Sequence, residues 1–180
     1  MSMKGSLLFA GAMLACVAMN ARVATSTPAS TAKPVVIEIK NATGQSVGTA
    51  TLTDANPGVR IKLDIRLLPP GEHSIHIHQV PKCEPPDFKS AGPHFSGTAA
   101  GHEHGAGAAP AGDIPNFALV VGADGTAQVS VVAPNVTLGA GDHSVFSNGG
   151  TAIVIHAVNS ETNSGAPPRI ACGVITRSEQ

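Results

Sequence analysis

Apolar and polar residues alternate in short segments along the chain from about residue 35 onwards. The clearest segment is 59–66 (Val-Arg-Ile-Lys-Leu-Asp-Ile-Arg), in which apolar and charged residues alternate strictly over eight positions. Strict alternation is typical of a β-strand with one buried face and one face in solvent. Similar alternation, or short β-branched and apolar runs, predicts further strands at 35–40, 47–54, 72–79, 117–121, 126–132, 151–156 and 170–175.

Turn-forming residues separate several of these predicted strands. Asn-Pro-Gly at 56–58, Pro-Pro-Gly at 69–71 and Gly-Ala-Asp-Gly at 122–125 are typical of tight turns. No segment shows a convincing amphipathic helical period, so the predicted fold class is all-β, a sandwich or a barrel. Two longer stretches, 81–116 and 157–168, fit no strand, and long loops on a β scaffold commonly carry function.

The N-terminal segment differs in composition from the rest of the chain. Lys4 precedes an apolar run at 7–19, which is typical of an export signal and too short for a membrane span. Residues 13–16 resemble a lipoprotein box with a lipid anchor at Cys16, whereas 16–18 also fit a signal-peptidase site, and a buried helix is a weaker alternative. We therefore predict a signal peptide or lipoprotein signal at 1–21, a flexible Ser/Thr/Pro linker at 22–34 and one domain at 35–180.

Composition and charge narrow the class of protein. The 180 residues suit one domain, and 42% hydrophobic residues with five Phe, no Trp and no Tyr predict a core of Val, Ile, Leu and Ala. A formal net charge of −1, without a basic run or an aromatic platform, argues against a nucleic-acid partner. If the chain is exported, Cys83 and Cys172 form an even pair that suggests a disulfide, with two buried free thiols as the alternative.

Histidine is the residue type that points to chemistry in this chain. His76 and His78 lie two positions apart on a predicted strand, so both side chains project from one face, whereas His73 lies on the other face and is interpreted as structural. His156 ends an apolar strand, where its ring needs a polar partner. Several imidazoles together suit copper or zinc. The loop at 81–116 supplies further candidate ligands, namely His94, His102, His104 and Asp113.

Short motifs around these residues resemble those of the copper/zinc superoxide dismutase family of the bacterial envelope. Each motif alone would be a weak match, but they occur together and in the family's order across nearly the whole chain from about residue 35. They are His-Ser-Ile-His-Ile-His at 73–78, Gly-Pro-His at 92–94, Ala-Gly-Asp at 111–113, Gly-Asp-His at 141–143, Ile-Val-Ile-His at 153–156 and Arg-Ile-Ala-Cys-Gly at 169–173.

The resemblance implies a fold and a set of site residues. The implied fold is an eight-stranded Greek-key β-barrel, an immunoglobulin-like sandwich, with two long functional loops. Arg169 would attract and orient superoxide, with a structural role at a strand start as its alternative, and Cys83 and Cys172 would form the disulfide. His94 would bridge copper and zinc and act as a general acid. The implied copper ligands are His76, His78, His94 and His156.

The zinc side departs from the family's pattern. The resemblance implies His94, His102 and Asp113 as zinc ligands, but Pro110 stands where the family has its remaining histidine. His104 could take that place and complete the four ligands that zinc prefers. The alternative is that His104 is exposed and the zinc site is weak or empty.

The function that the resemblance implies is copper-dependent dismutation of superoxide to O2 and H2O2, with copper and zinc as cofactors, in the periplasm or cell envelope. The loop at 157–168 contains no Asp, so it lacks the carboxylate with which family members link the two metal sites. The alternative is a copper-binding or copper-buffering protein with weak or no activity, whereas a zinc hydrolase lacks a motif for its general base. Membrane contact is expected only through a lipid anchor at Cys16, and the oligomeric state stays open, with a homodimer as one option.

Overall fold

The computed structural model describes residue 1 and residues 33–97, 109–158 and 167–177. Nearly all of the predicted signal at 1–21 and of the predicted linker at 22–34 lies outside the described residues, and so do His102 and His104. Within the described ranges, no helix is long and apolar enough to cross a membrane.

β-strands are the main regular secondary structure of the described part of the chain. Two short 3₁₀ helices, Lys89–Ala91 and Ser147–Gly149, lie in the connecting loops. The strands are β1 (Val35–Asn41), β2 (Ser46–Asp54), β3 (Val59–Ile65), β4 (Gly71–His73), β5 (Ile75–His78), β6 (Leu119–Val121), β7 (Ala127–Ala133), β8 (Thr151–His156) and β9 (Arg169–Ile175).

The strands form a curled antiparallel sheet, as the predicted all-β barrel requires. Seven strands pair in the order β5-β8-β9-β1-β2-β3-β7, and β4 pairs with β6. The neighbours β1 and β9, β3 and β7, and β5 and β8 are far apart in sequence, and such crossovers are typical of Greek-key connections. The fold-class prediction is confirmed.

The alternating pattern of β3 has the predicted structural meaning. Its apolar residues are buried and its charged residues are exposed at every position of Val59–Ile65. The inner face of the sheet is filled mainly by Ile, Leu and Val, among them Ile39, Leu52 and Ile153, each with no exposed surface. Closely packed branched aliphatic side chains therefore fill most of the core, in which aromatic residues are scarce.

The single strand predicted at 72–79 is divided in two by Ser74, which is a correction to the sequence interpretation. Before the break, Glu72 pairs with Val120 of β6. After the break, β5 pairs instead with β8, and the Ser74 carbonyl accepts a hydrogen bond from the His156 N–H at 2.9 Å. The chain changes partner strands at this point, which alternation along the sequence does not reveal. With β4 and β5 counted as one interrupted strand, the described strands number the eight that the resemblance implies.

A disulfide joins Cys83 in the loop after β5 to Cys172 in β9, with Cα atoms 5.6 Å apart. This observation decides against two free thiols. Because the loop after β5 carries His94 and β9 begins at Arg169, the bond ties together two segments that contribute candidate site residues.

Removing this disulfide should cost substantial stability. The bond closes a loop with a sequence separation of 89 residues. We expect a variant with both Cys83→Ser and Cys172→Ser to lose roughly 4 kcal/mol of unfolding free energy, because its unfolded chain regains loop entropy. Denaturant titration of the metal-free protein measures this loss. Reductant should lower the midpoint of the parent and leave that of the double variant unchanged; equal midpoints for the two oxidised proteins would contradict the prediction.

Candidate metal centre

Four of the predicted ligands converge on the outer face of the barrel. His76 and His78 belong to β5, His156 ends β8, and His94 lies in the loop between β5 and β6. Their ligand nitrogens all lie within 4.8 Å of one another, so one metal ion can contact all four. Three of the four residues are buried, whereas the His94 side chain is 33% exposed and marks the side that is open to solvent.

The pairing of β5 with β8 places three of these rings side by side. His76 lies opposite Val154 in this antiparallel pair, and His78 lies opposite Ala152. Side chains two residues apart on a strand share a face, so His76 and His78 project together. His156 follows Val154 by two residues and belongs to the same face of β8. The site is therefore assembled by strand register.

His94 reaches the cluster because its loop is attached to β5. An isolated bridge pairs His78 with His94, and the Phe95 N–H donates a hydrogen bond to the Ile77 carbonyl at 2.8 Å. The Phe95 side chain is 1% exposed and packs in the main core. Packing of the buried Phe95 ring thus holds the neighbouring His94 in place, although His94 lies in a loop.

Backbone carbonyls set the orientation of two of the rings. His78 Nδ1 lies 2.9 Å from the Gly92 carbonyl oxygen, and His156 Nδ1 lies 3.2 Å from that of Pro167. A carbonyl oxygen only accepts hydrogen bonds, so each Nδ1 is the donor and each Nε2 keeps its lone pair. These two Nε2 atoms lie 3.4 Å apart. Two lone pairs facing each other repel unless a cation lies between them, so the arrangement fits a bound metal ion.

The buried rings are held in the neutral form that binds metal. Burial, together with the neighbouring His94, lowers the pKa of His76 from 6.5 to about 3. Burial likewise lowers the pKa of His78 to about 3 and that of His156 to about 4. Neutral imidazoles in this number suit copper or zinc.

These lowered pKa values predict acid sensitivity of the metal-free protein. An unfolded histidine takes up a proton near pH 6.5, whereas these folded rings resist protonation down to about pH 4 or 3. The unfolded state therefore binds more protons in this window, and stability present above pH 6.5 is lost as the pH falls. We expect a loss on the order of a few kcal/mol between pH 7 and pH 5. Denaturant midpoints measured across this range check it.

A single-ring variant gives the matched control for this pH dependence. His156→Gln removes one of the three titrating rings, so its stability should fall less steeply with decreasing pH than that of the parent, by up to about 1.4 kcal/mol per pH unit. His143→Gln removes one histidine at an exposed position outside the cluster and controls for the loss of a histidine as such. Parallel pH profiles for the parent and His156→Gln would contradict the prediction.

A carboxylate lies on the other side of His94. His94 Nδ1 lies 2.6 Å from Asp113 Oδ1, which leaves the Nε2 of this ring for the four-histidine cluster. Gly112 brings Asp113 there, since its N–H bonds to the Phe95 carbonyl and its own carbonyl accepts the Ile77 N–H. A Cβ atom at Gly112 would collide with the Ile77 carbonyl, so this close approach requires glycine.

Two of the predicted zinc ligands, His94 and Asp113, lie next to each other among the described residues. The other predicted zinc ligands, His102 and His104, lie outside the described residues and stay predictions. Pro110 contributes its carbonyl oxygen to a turn, where it accepts the Asp113 N–H at 3.1 Å.

Arg169 lies next to the cluster, as the first residue of β9 and opposite His156 in the sheet. Its Nη1 donates to the Phe88 carbonyl and its Nη2 to the Gly92 carbonyl, both at 2.8 Å. Burial is the main cause of the lowered pKa of His78 and His156, and the charge of Arg169 contributes to both. The guanidinium is thus close enough to act electrostatically on an anion at the cluster.

Sequence patterns did not reveal the supporting role of the backbone. The Gly92 carbonyl accepts hydrogen bonds from both His78 and Arg169, although Gly92 attracts attention in the sequence only as part of a motif. The structural role predicted for His73 agrees with its contacts. The ring is 1% exposed, with Nδ1 2.8 Å from the His156 carbonyl oxygen and Nε2 2.8 Å from that of Pro69. It therefore fixes the main chain of a candidate ligand from the other side of the strand.

Comparison with known proteins agrees with the fold and identifies the family. The family model described as copper/zinc superoxide dismutase (SODC) matches residues 46–175. The superoxide dismutase [Cu-Zn] 1 of Aquifex aeolicus is 43% identical over 145 residues, covering 77% of this chain and 85% of that protein.

Two solved structures are similar in three dimensions. A SOD-like protein from Bacillus subtilis is 29% identical with a TM-score of 0.66, over 77% of this chain and 96% of that one. The Cu/Zn superoxide dismutase from Brucella abortus is 26% identical with a TM-score of 0.62, over 79% and 99%. The chain belongs to the copper/zinc superoxide dismutase family.

Proposed function

We propose that this protein dismutates superoxide to O2 and H2O2 at a copper ion held by four histidines. The observation that carries the proposal is the convergence of four ligand nitrogens within 4.8 Å, three of them in rings that burial keeps neutral. Family membership supports the same reaction. The four ligands are His76, His78, His94 and His156.

Copper, Arg169 and His94 would each have a different role in the reaction. Bound copper supplies the one-electron redox chemistry, which imidazole ligation supports. Arg169 raises the local concentration of the superoxide anion and orients it by hydrogen bonds from its guanidinium. His94 would offer Nε2 to copper and, whenever that nitrogen is released from the metal, would take up a proton there and donate it to the reduced product.

The proposal includes a zinc ion bound on the side of His94 that faces Asp113. His94 and Asp113 would hold it together with His102 and, in place of the family's remaining histidine, His104. Zinc has no redox chemistry, so it would fix the position of His94 and stiffen the loop. The alternative function, copper binding without turnover, is favoured by the proline at position 110 and is decided by the same experiment.

Metal content and activity should be measured together on a chain that begins at residue 34, because the described fold begins at Val35. One copper and one zinc per chain with fast superoxide removal would support the full proposal. One copper, no zinc and retained activity would support a copper-only enzyme. Copper binding without activity would overturn the dismutase proposal and leave a copper-binding protein.

We also propose that the enzyme works in the cell envelope, free or anchored through a lipid on Cys16. The signal-like composition of 1–21 and the disulfide support export, because disulfides persist in oxidising compartments. Expression of the full chain, cell fractionation and mass measurement of the product test this proposal. A product in the cytosol that retains residues 1–21 would overturn it.

A further inference from the structure

Phe88 has a backbone conformation that is unusual for its residue type. Its φ of 52° and ψ of 23° place it in the left-handed helical region. For a bulky side chain this region is a genuine outlier that costs free energy and persists only where the surroundings enforce it. Such strain accumulates at functional sites, so its consequence at Phe88 should be sought in what the residue contacts.

This conformation directs the Phe88 carbonyl towards Arg169. The oxygen accepts the Ala91 N–H at 3.1 Å and Arg169 Nη1 at 2.8 Å. With the bond from Nη2 to the Gly92 carbonyl, the guanidinium is held at two points four residues apart in one loop. Two bonds to a rigid planar group fix its orientation as well as its position.

The side chain of Phe88 anchors this loop to the strands that carry the metal ligands. Its ring is 1% exposed and lies in a second apolar cluster, separate from the main core, that includes Ala152, Val154 and Cys172. Ala152 and Val154 lie directly opposite His78 and His76 in the sheet. The ring therefore packs on the same face of the sheet that presents the ligands, against their neighbours on β8.

We propose that Phe88 is a positioning residue for Arg169. Its buried ring secures the left-handed turn, and the turn sets the carbonyl that holds the guanidinium beside the four-histidine cluster. A guanidinium has five N–H donors, and among the described residues these two bonds use two of them, which leaves donors for an anion. The significance for catalysis rests on the dismutase function proposed above, whereas the contact itself does not.

The contact is tested first on the metal-free full chain by arginine modification with phenylglyoxal. Peptide mass spectrometry gives the modification rate at Arg169 and, as internal references, at Arg60, Arg66 and Arg177. We expect Phe88→Ala to raise the Arg169 rate about ten-fold, which is the factor for losing one hydrogen bond to a charged group, and to leave the reference rates unchanged.

Two further variants separate positioning from loss of packing. Phe88→Val keeps an apolar side chain but resists the left-handed conformation because it is β-branched, so it should also expose Arg169. Phe88→Leu keeps most of the apolar volume without that branching and should stay closer to the parent than either of the other two variants. Leu52→Ala serves as the matched destabilised control, because Leu52 is fully buried in β2, away from this loop. Equal Arg169 rates in Phe88→Ala, Phe88→Val and Leu52→Ala would overturn the proposal.

Azide binding to the copper-loaded protein extends the test to an anion at the site. We expect azide affinity, followed by its absorption band, to fall about ten-fold in Phe88→Ala and Phe88→Val and to be retained in Phe88→Leu and Leu52→Ala. Unchanged azide affinity in Phe88→Ala would overturn the role in anion binding. If the parent protein lacks dismutase activity while Phe88→Ala still raises the Arg169 modification rate, the proposed function is wrong. The positioning of Arg169 by Phe88 is then still supported.

Discussion

Replacing His78 with alanine should abolish copper-dependent removal of superoxide. The side chain is fully buried, and its Nδ1 is already held by the Gly92 carbonyl, so Nε2 is fixed towards the cluster. Loss of a residue that only supports a metal ligand costs 10- to 100-fold, so loss of the ligand itself should lower the rate by more than about 100-fold. Copper content and the dismutation rate, measured on the same sample, check both parts of the expectation.

The structure supplies a matched control for this substitution. His143→Ala also removes one histidine, but this ring is exposed and bonds through Nδ1 to the Asn135 carbonyl, outside the four-histidine cluster. It should retain full copper content and rate. A His78→Ala protein that keeps one copper and the parent rate would show that the cluster is not where copper acts.

The parts of this molecule that could be predicted from sequence are those that short-range patterns encode. The alternation in β3 exists because one face of a strand meets the core and the other meets water, so it is visible within eight residues. The pair His76 and His78 is visible for the same reason. The family motifs assigned His94 and His156 to the same site as this pair. No local pattern could have brought them to one point, because their meeting depends on strand pairing and on a loop that pairs with β5 at His78.

The parts that could not be predicted depend on long-range contacts and on the backbone. The break at Ser74 arises because the partner strand changes from β6 to β8. The alternation of apolar and polar residues does not indicate which strand a segment pairs with. The left-handed turn at Phe88 could not be foreseen either, because a sequence signal for that conformation would be Gly or Asn. The carbonyl of Gly92 has no sequence signature, since every residue carries one.

The nearby Asp87 carboxylate partly compensates the positive charge of Arg169. It acts on the guanidinium, and Lys89 pairs with the same carboxylate at 2.8 Å. Both partners of this pair are exposed, so its own contribution to stability is small. Because Lys89 offsets part of the negative charge of this carboxylate, Asp87 weakens the attraction of an anion to Arg169 less than it would alone.

Arg169→Gln should therefore slow superoxide capture without removing copper. The substitution deletes the positive charge opposite His156 and the two hydrogen bonds to the loop carbonyls. Electrostatic focusing of a charged substrate contributes 10- to 1000-fold to association rates, and for a single charge near the cluster we expect a loss of about ten- to a hundred-fold in kcat/KM. Stopped-flow measurement of superoxide decay over a range of ionic strength checks this, because the parent rate should fall with salt and the variant rate should respond much less.

Arg177→Gln separates local steering from a change in net charge. It removes the same unit of charge, but the Arg177 guanidinium is exposed and stacks over the Phe146 ring at 4.5 Å, away from the four histidines. We expect this variant to keep the parent rate within about two-fold and to keep its salt dependence, since screened surface charges act only over short distances.

Arg169→Lys separates the charge of Arg169 from its hydrogen-bond geometry. It keeps the positive charge but lacks the planar guanidinium, so the capture rate should lie between those of the parent and Arg169→Gln. Equal rates and equal salt slopes for Arg169→Gln and Arg177→Gln would mean that Arg169 has only a structural role at the start of β9.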